Sequence, residues 1–356
     1  MNNKETYNRM LYIDILNVVS CLAVVFLHTN EMFWAFSYEP YWISANIIEC
    51  VFYYAVPVFF MITGTTLIDY RKKYNTKEFF CKRISKTIIP FLIWSIIAVF
   101  YYKIMKKTNL TTDSLNAILD GIINTKYVPI YWYFISLIPV YLSIPVLSLI
   151  PDEQKKSAYF YIVILTFVFN SLIPLISEIT GNRFVSNPGL RMPLGGGYLF
   201  YALLGYLLSH SDLKRYKKWI YLLGIVGLTI HIIGTWYLSY RIGDIGRTFK
   251  GYLNVPCILY SIAVFTFFKE RDYGKCNFKI FKFVKYFSGT TFGIYLMHWF
   301  ILDIFKQVTG GRFSKMLSYR IVGAIIIFSI CGIFTPVYNF INGRRAGKPV
   351  VLKPLS

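Results

Sequence analysis

The chain has 356 residues, of which 56% are hydrophobic, 19% aromatic and 15% charged. A soluble domain carries roughly a quarter charged residues, so this composition excludes an ordinary soluble enzyme and predicts an all-α integral membrane protein. The net charge of +21 would suit a nucleic-acid partner, but the basic residues gather between apolar segments; they report topology, with lipid as the partner and no nucleic acid.

A membrane span needs about 20 mostly apolar residues. In chain order ten are predicted, at 11–30, 45–68, 84–105, 129–150, 157–178, 195–210, 219–238, 252–268, 286–308 and 318–341. The first runs to about residue 30 with no small-residue cleavage site, so no cleavable signal is expected. The sixth opens on LGGG, which predicts an irregular start or close packing on a neighbour. With the N-terminus inside, the cytoplasmic segments hold roughly twice the Lys and Arg of the external ones. Both termini are therefore expected in the cytoplasm, with 1–356 forming one membrane domain. The six cysteines show no CxxC pair and no metal-ligand spacing, so free thiols and no metal are expected.

The first span carries polar residues. At 100° per residue, Asn17 and His28 lie 20° apart around a helix, and Asp14 and Glu31 lie near the same direction. The helical rise separates Asn17 from His28 by about 16 Å. The plain reading is an interfacial Asp14 and a His28 bonded to a neighbouring helix. The functional reading is a polar path through the bundle. In it His28 is a general base near neutral pH and Glu31 orients its ring.

Six blocks in order resemble the membrane-bound acyltransferase-3 family over nearly the whole chain. YIDILNVVSCLAVVFLH (12–28) resembles its first-helix pattern, an Asp, a basic residue three on and a His eleven later. AVPVFFMITGTTLI (55–68) resembles the VPxFFxxSG block, and FFCKRISKTIIPFLIW (79–94) the R-x-x-R element followed by Pro. WYFISLIPVYLSIPVL (132–147), YLFYALLGYLL (198–208) and FGIYLMH (292–298) resemble three more. The resemblance implies transfer of an acyl group, usually acetyl, from cytoplasmic acyl-CoA to a hydroxyl of an extracytoplasmic glycan. It implies a multi-pass protein of a bacterial plasma membrane, with acyl-CoA as co-substrate and no bound cofactor. It makes His28 the catalytic histidine and matches Arg83 and Lys86 to the two basic positions of R-x-x-R. Asn17 departs from the family's Arg or Lys, and Lys86 keeps charge but lacks the bidentate fork of Arg.

Several residues keep two readings. Arg83 and Lys86, three apart near the cytoplasmic end of the third span, either hold CoA phosphates with Asn17 or anchor topology. Arg71, Lys72 and Lys73 read as topology signals. On the acceptor side, Tyr295 and His298 line a cavity with His28 or form a packing pair. Arg191 binds acceptor or is an exposed loop residue. His231 reads as structural. Trp34, Tyr41, Trp42, Tyr131, Trp132 and Tyr133 form aromatic belts or stack on sugar. The alternative function is export of a polysaccharide or lipid-linked sugar, which demands a wide polar conduit.

Overall fold

The computed structural model describes residues 3–106, 115–181, 187–273 and 278–341, with side chains omitted at 3–10, 106, 188, 278 and 336–341. Cys276, the C-terminal tail and parts of the loops 106–128 and 269–285 lie outside the described residues. The described residues form helices and no strand. In chain order these are α1 (Asn3–Thr29), α2 (Pro40–Phe52), α3 (Ala55–Leu67), α4 (Thr76–Arg83), α5 (Ile89–Lys106), α6 (Leu115–Ile123) and α7 (Trp132–Leu147). They continue as α8 (Asp152–Phe167), α9 (Ile173–Ile179), α10 (Leu199–Ser209), α11 (Lys217–Ile242), α12 (Val255–Lys269), α13 (Phe278–Thr309) and α14 (Ala324–Ile341).

Each of the ten predicted segments falls on helix. Among the described residues, six stretches are long and apolar enough to cross a membrane, and Leu199–Ser209, Val255–Lys269 and Tyr319–Thr335 are shorter apolar helices. Two π turns, Ile84–Ile88 and Val168–Leu172, each precede a proline, Pro90 and Pro174. A proline lacks the N–H that an α-helix needs, and a wider turn ahead of it absorbs the missing bond. The predicted irregularity at LGGG is present. Gly195 and Gly197 have φ of 83° and 60°, and α10 begins only at Leu199.

The chain divides into two compact units, one of residues 1–52 and 271–356, the other of residues 53–270. In the first unit, α1 packs on α13 and α14. Contacts pair Asp14 with Ser288, Asn17 with Thr291 and His28 with His298, so α1 and α13 run parallel. Phe305 stacks on Tyr319 and a Cβ at Gly293 would meet Thr335, so α14 runs antiparallel to α13. This parity suits an odd number of crossings between α1 and α13.

In the second unit, α3 packs on α10 through two glycines. A Cβ on Gly64 would lie 1.7 Å from the Ala202 carbonyl oxygen, and one on Gly205 2.2 Å from that of Met61. The close approach lets the Thr65 hydroxyl donate across to the Gly205 carbonyl at 3.0 Å. The α11–α12 pair uses Gly224 against Ala263 and Gly227 against Pro256 in the same way. At one end of this unit Lys155, almost fully buried, bonds Asp69 at 2.9 Å and Asp152 at 2.6 Å. Arg71 donates to Ser148 Oγ at 2.8 Å and to the Pro145 carbonyl, at the C-terminal end of α7. Arg71 and Lys72 thus bind neighbouring protein groups.

Candidate active site

The polar stripe of α1 meets a matching stripe on α13. Asp14 accepts from the Ser288 hydroxyl at 2.6 Å and pairs with the Lys285 ammonium. Asn17 Nδ2 donates to Thr291 Oγ1 at 3.0 Å, and Cys21 Sγ to the Thr291 carbonyl at 3.5 Å. Residues 285, 288, 291, 295 and 298 recur every three or four positions, so they occupy one face of α13. The lower stripe is therefore a hydrogen-bonded helix seam. One N–H of the half-buried Asn17 amide is thus engaged by Thr291.

Farther along the seam the polar residues change character. His28 is half-buried and neither ring nitrogen has a hydrogen-bond partner among the described residues. Its ring centre lies 5.3 Å from that of His298, with planes tilted by 33°. His298 is fully buried, and its Nδ1 lies 3.0 Å from the Ile294 carbonyl oxygen. A carbonyl only accepts, so Nδ1 carries the proton and neutral His298 presents a lone pair at Nε2. That Nε2 is buried and has no hydrogen-bond partner among the described residues. Tyr295, also buried, sets its ring edge-on to His298 at 5.6 Å. Of the two readings of Tyr295 and His298, burial and the edge-on ring contact match the packing pair.

Glu31 does not orient His28. The α-helix stops at Thr29, and Glu31 begins a 3-10 turn after Asn30, at φ −96° and ψ 24°. The 100° periodicity that aligned Glu31 with His28 ends with the helix. Its exposed carboxylate instead pairs with Lys306 at 2.8 Å.

Arg320 sits where the sequence reading placed only an apolar span. It is 1% exposed in the π turn Tyr319–Gly323. Its guanidinium donates to Asn30 Oδ1 (3.3 Å), the Tyr41 carbonyl (3.4 Å), Ser44 Oγ (2.8 Å) and the Lys315 carbonyl (3.3 Å). The Thr29 hydroxyl donates to the Arg320 carbonyl at 3.0 Å. Arg320 thereby ties the end of α1, one residue past His28, to α2 and to the turn before α14. A cation at the C-terminal end of α1 is also favoured by the helix dipole. An arginine inside an apolar run was the available signal. Beside it the exposed Lys315 bonds Glu39 at 2.9 Å, and that carboxylate raises the ammonium above the usual lysine range.

The remaining candidates, apart from Trp42, belong to the second unit. Arg83 is half-buried, with its guanidinium 5.9 Å from the ring centres of both Phe79 and Tyr141. Its Nε is buried without a hydrogen-bond partner. Lys86 is exposed within the π turn Ile84–Ile88, so the α-helical spacing assumed between Arg83 and Lys86 does not hold there. Arg191 is exposed in the irregular segment before α10, which Asn170 pins through both the N–H and the carbonyl of Met192. His231 is buried against Tyr53. Trp42 and Tyr131 are core residues rather than belt or sugar-facing ones, and Trp42 Nε1 donates to the Phe33 carbonyl at 2.9 Å.

No curated protein and no solved structure matches this chain. A family model described as an acyltransferase domain, that of the acyltransferase-3 family, matches residues 10–336. With 327 consecutive positions matched, including α1, α13 and every block quoted above, the chain belongs to the acyltransferase-3 family and is a membrane acyltransferase.

Proposed function

We propose that the protein is an O-acetyltransferase of the plasma membrane, moving acetyl from cytoplasmic acetyl-CoA to a hydroxyl of an extracytoplasmic cell-surface glycan. The supporting observation is the state of His28. It is a half-buried imidazole with two uncommitted nitrogens, at the end of an otherwise hydrogen-bonded polar seam. A neutral imidazole of this kind is a general base suited to neutral pH.

In the direct route the acceptor O–H bond breaks and its proton passes to one ring nitrogen of His28. The oxygen forms a bond to the thioester carbonyl carbon. The carbon–sulfur bond then breaks with its electron pair on sulfur, and the thiolate takes the proton from His28. In a two-step route His28 carries the acetyl group before the acceptor attacks. Half-buried Arg83 is the donor-side candidate, since CoA phosphates require charge and N–H donors. Exposed Lys86 adds charge without a fork, and Arg191 is the exposed cation left for the acceptor side. The exporter reading gains no support from the α1–α13 seam, whose polar groups bond one another rather than line a conduit.

The test uses membranes from cells making the full chain, with radiolabelled acetyl-CoA added on the cytoplasmic face. Label is expected in alkali-labile esters of the glycan fraction. His28→Ala should lower that rate by about two orders of magnitude or more, as loss of a general base does. Incorporation unaffected by His28→Ala would refute the assignment.

A further inference from the structure

The Glu31 carboxylate is held by Lys306, so a different group must attend His28 when it becomes charged. We propose that His298 is a positioning residue whose Nε2 accepts a hydrogen bond from His28 in its protonated form. This rests on the reading of His28 as the base.

Three observations carry it. The first is the tautomer. The Ile294 carbonyl fixes the proton of His298 on Nδ1, so Nε2 is an acceptor and nothing in its surroundings satisfies it. Secondly, His298 is 0% exposed, so it cannot touch substrate and must act through a neighbour. The side chain facing it is His28, itself without a hydrogen-bond partner. The third is spacing. An N–H···N bond of about 3 Å between two imidazoles puts their ring centres roughly 5 Å apart. The observed 5.3 Å meets that spacing.

The proton balance is simple. Neutral His28 has one N–H and one lone pair; after it takes the acceptor's proton, both nitrogens are donors. One donor returns its proton to the departing thiolate. The other points to Nε2 of His298, which holds the imidazolium in register and transfers nothing. Parallel packing of α1 and α13 keeps the two rings at the same level, and the edge-on ring of Tyr295 buttresses His298.

The experiment measures initial rates of label transfer in the same membranes, varying radiolabelled acetyl-CoA and matching protein levels. His298→Leu should lower the maximal rate about tenfold or more, while KM for acetyl-CoA stays within about twofold. His298→Gln should recover most of the rate, because its amide can donate to the Ile294 carbonyl and still accept from His28. In a His28→Gln background, His298→Leu should cause no further loss, since the two act as a unit. The proposal is overturned if His298→Leu is as active as wild type. It is also overturned if His298→Gln is as defective as His298→Leu, or if the His298→Leu loss persists without His28. A His28→Gln protein that keeps the wild-type rate would instead remove His28 as base, whatever the His298 variants do.

Discussion

At residue scale, Asp14 has its cation from Lys285 on α13, while Asn17 on its own helix carries no charge. In the family pattern a basic residue three positions after the Asp supplies a cation on the first helix itself. Here Asn17 bonds Thr291, and the cation beside Asp14 comes from α13 as Lys285. Lys285→Ala should lower the stability of the purified protein by about 1 kcal/mol, discounted for the pair's partial exposure. Adding Asn17→Lys in that background should return most of it, whereas Asn17→Lys alone adds a second cation to a filled site. Thermal unfolding of the three variants checks this; an unchanged Lys285→Ala midpoint would contradict it. For the donor, Arg83→Ala should weaken acetyl-CoA binding about tenfold or more, and Arg83→Lys should restore it only in part. Equal affinity in Arg83→Ala would leave that residue an anchor. The sequence made Asp14, Asn17 and His28 legible because helical periodicity holds across α1. It could not show their partners, because Lys285 and Thr291 are about 270 positions away and nothing local marks them as facing α1.

At the scale of elements, two of the family-like blocks meet. The glycine closing AVPVFFMITG and the one within YLFYALLGYLL are Gly64 and Gly205, and each admits the other helix's backbone. The motif was visible in sequence; its reason, a helix crossing too close for a Cβ, was not. Gly205→Val should force α3 and α10 apart and break the Thr65 bond, at a penalty of at least about 1–3 kcal/mol. A thermal midpoint equal to wild type would contradict so close a crossing. Glu31 and Lys86 lie where an α-helical count runs past a change of helix type, so their faces differ from those a uniform helix gives. The stop at Thr29 and the π turn at Ile84–Ile88 depend on tertiary bonds and a downstream proline, which a 100° wheel ignores. Arg320 belongs here too. Arg320→Leu should loosen the junction of α1, α2 and α14, raising hydrogen exchange at residues 28–32 first.

For the whole molecule, the alternation of basic and apolar segments made a multi-pass helical protein legible, and the segments fall on helices throughout. Which surface faces the cytoplasm follows from the Lys and Arg bias alone. Single cysteines introduced in 269–285 should react only after permeabilisation, and those in 239–251 in intact cells. The reverse pattern would place His28 near the cytoplasmic face. The reaction itself is tested most directly by His28→Gln, which keeps hydrogen bonding but not basicity. Membranes holding this variant at wild-type level, with wild-type affinity for acetyl-CoA, should transfer radiolabelled acetyl to glycan about two orders of magnitude more slowly than wild type. Near-normal transfer by His28→Gln would contradict the account.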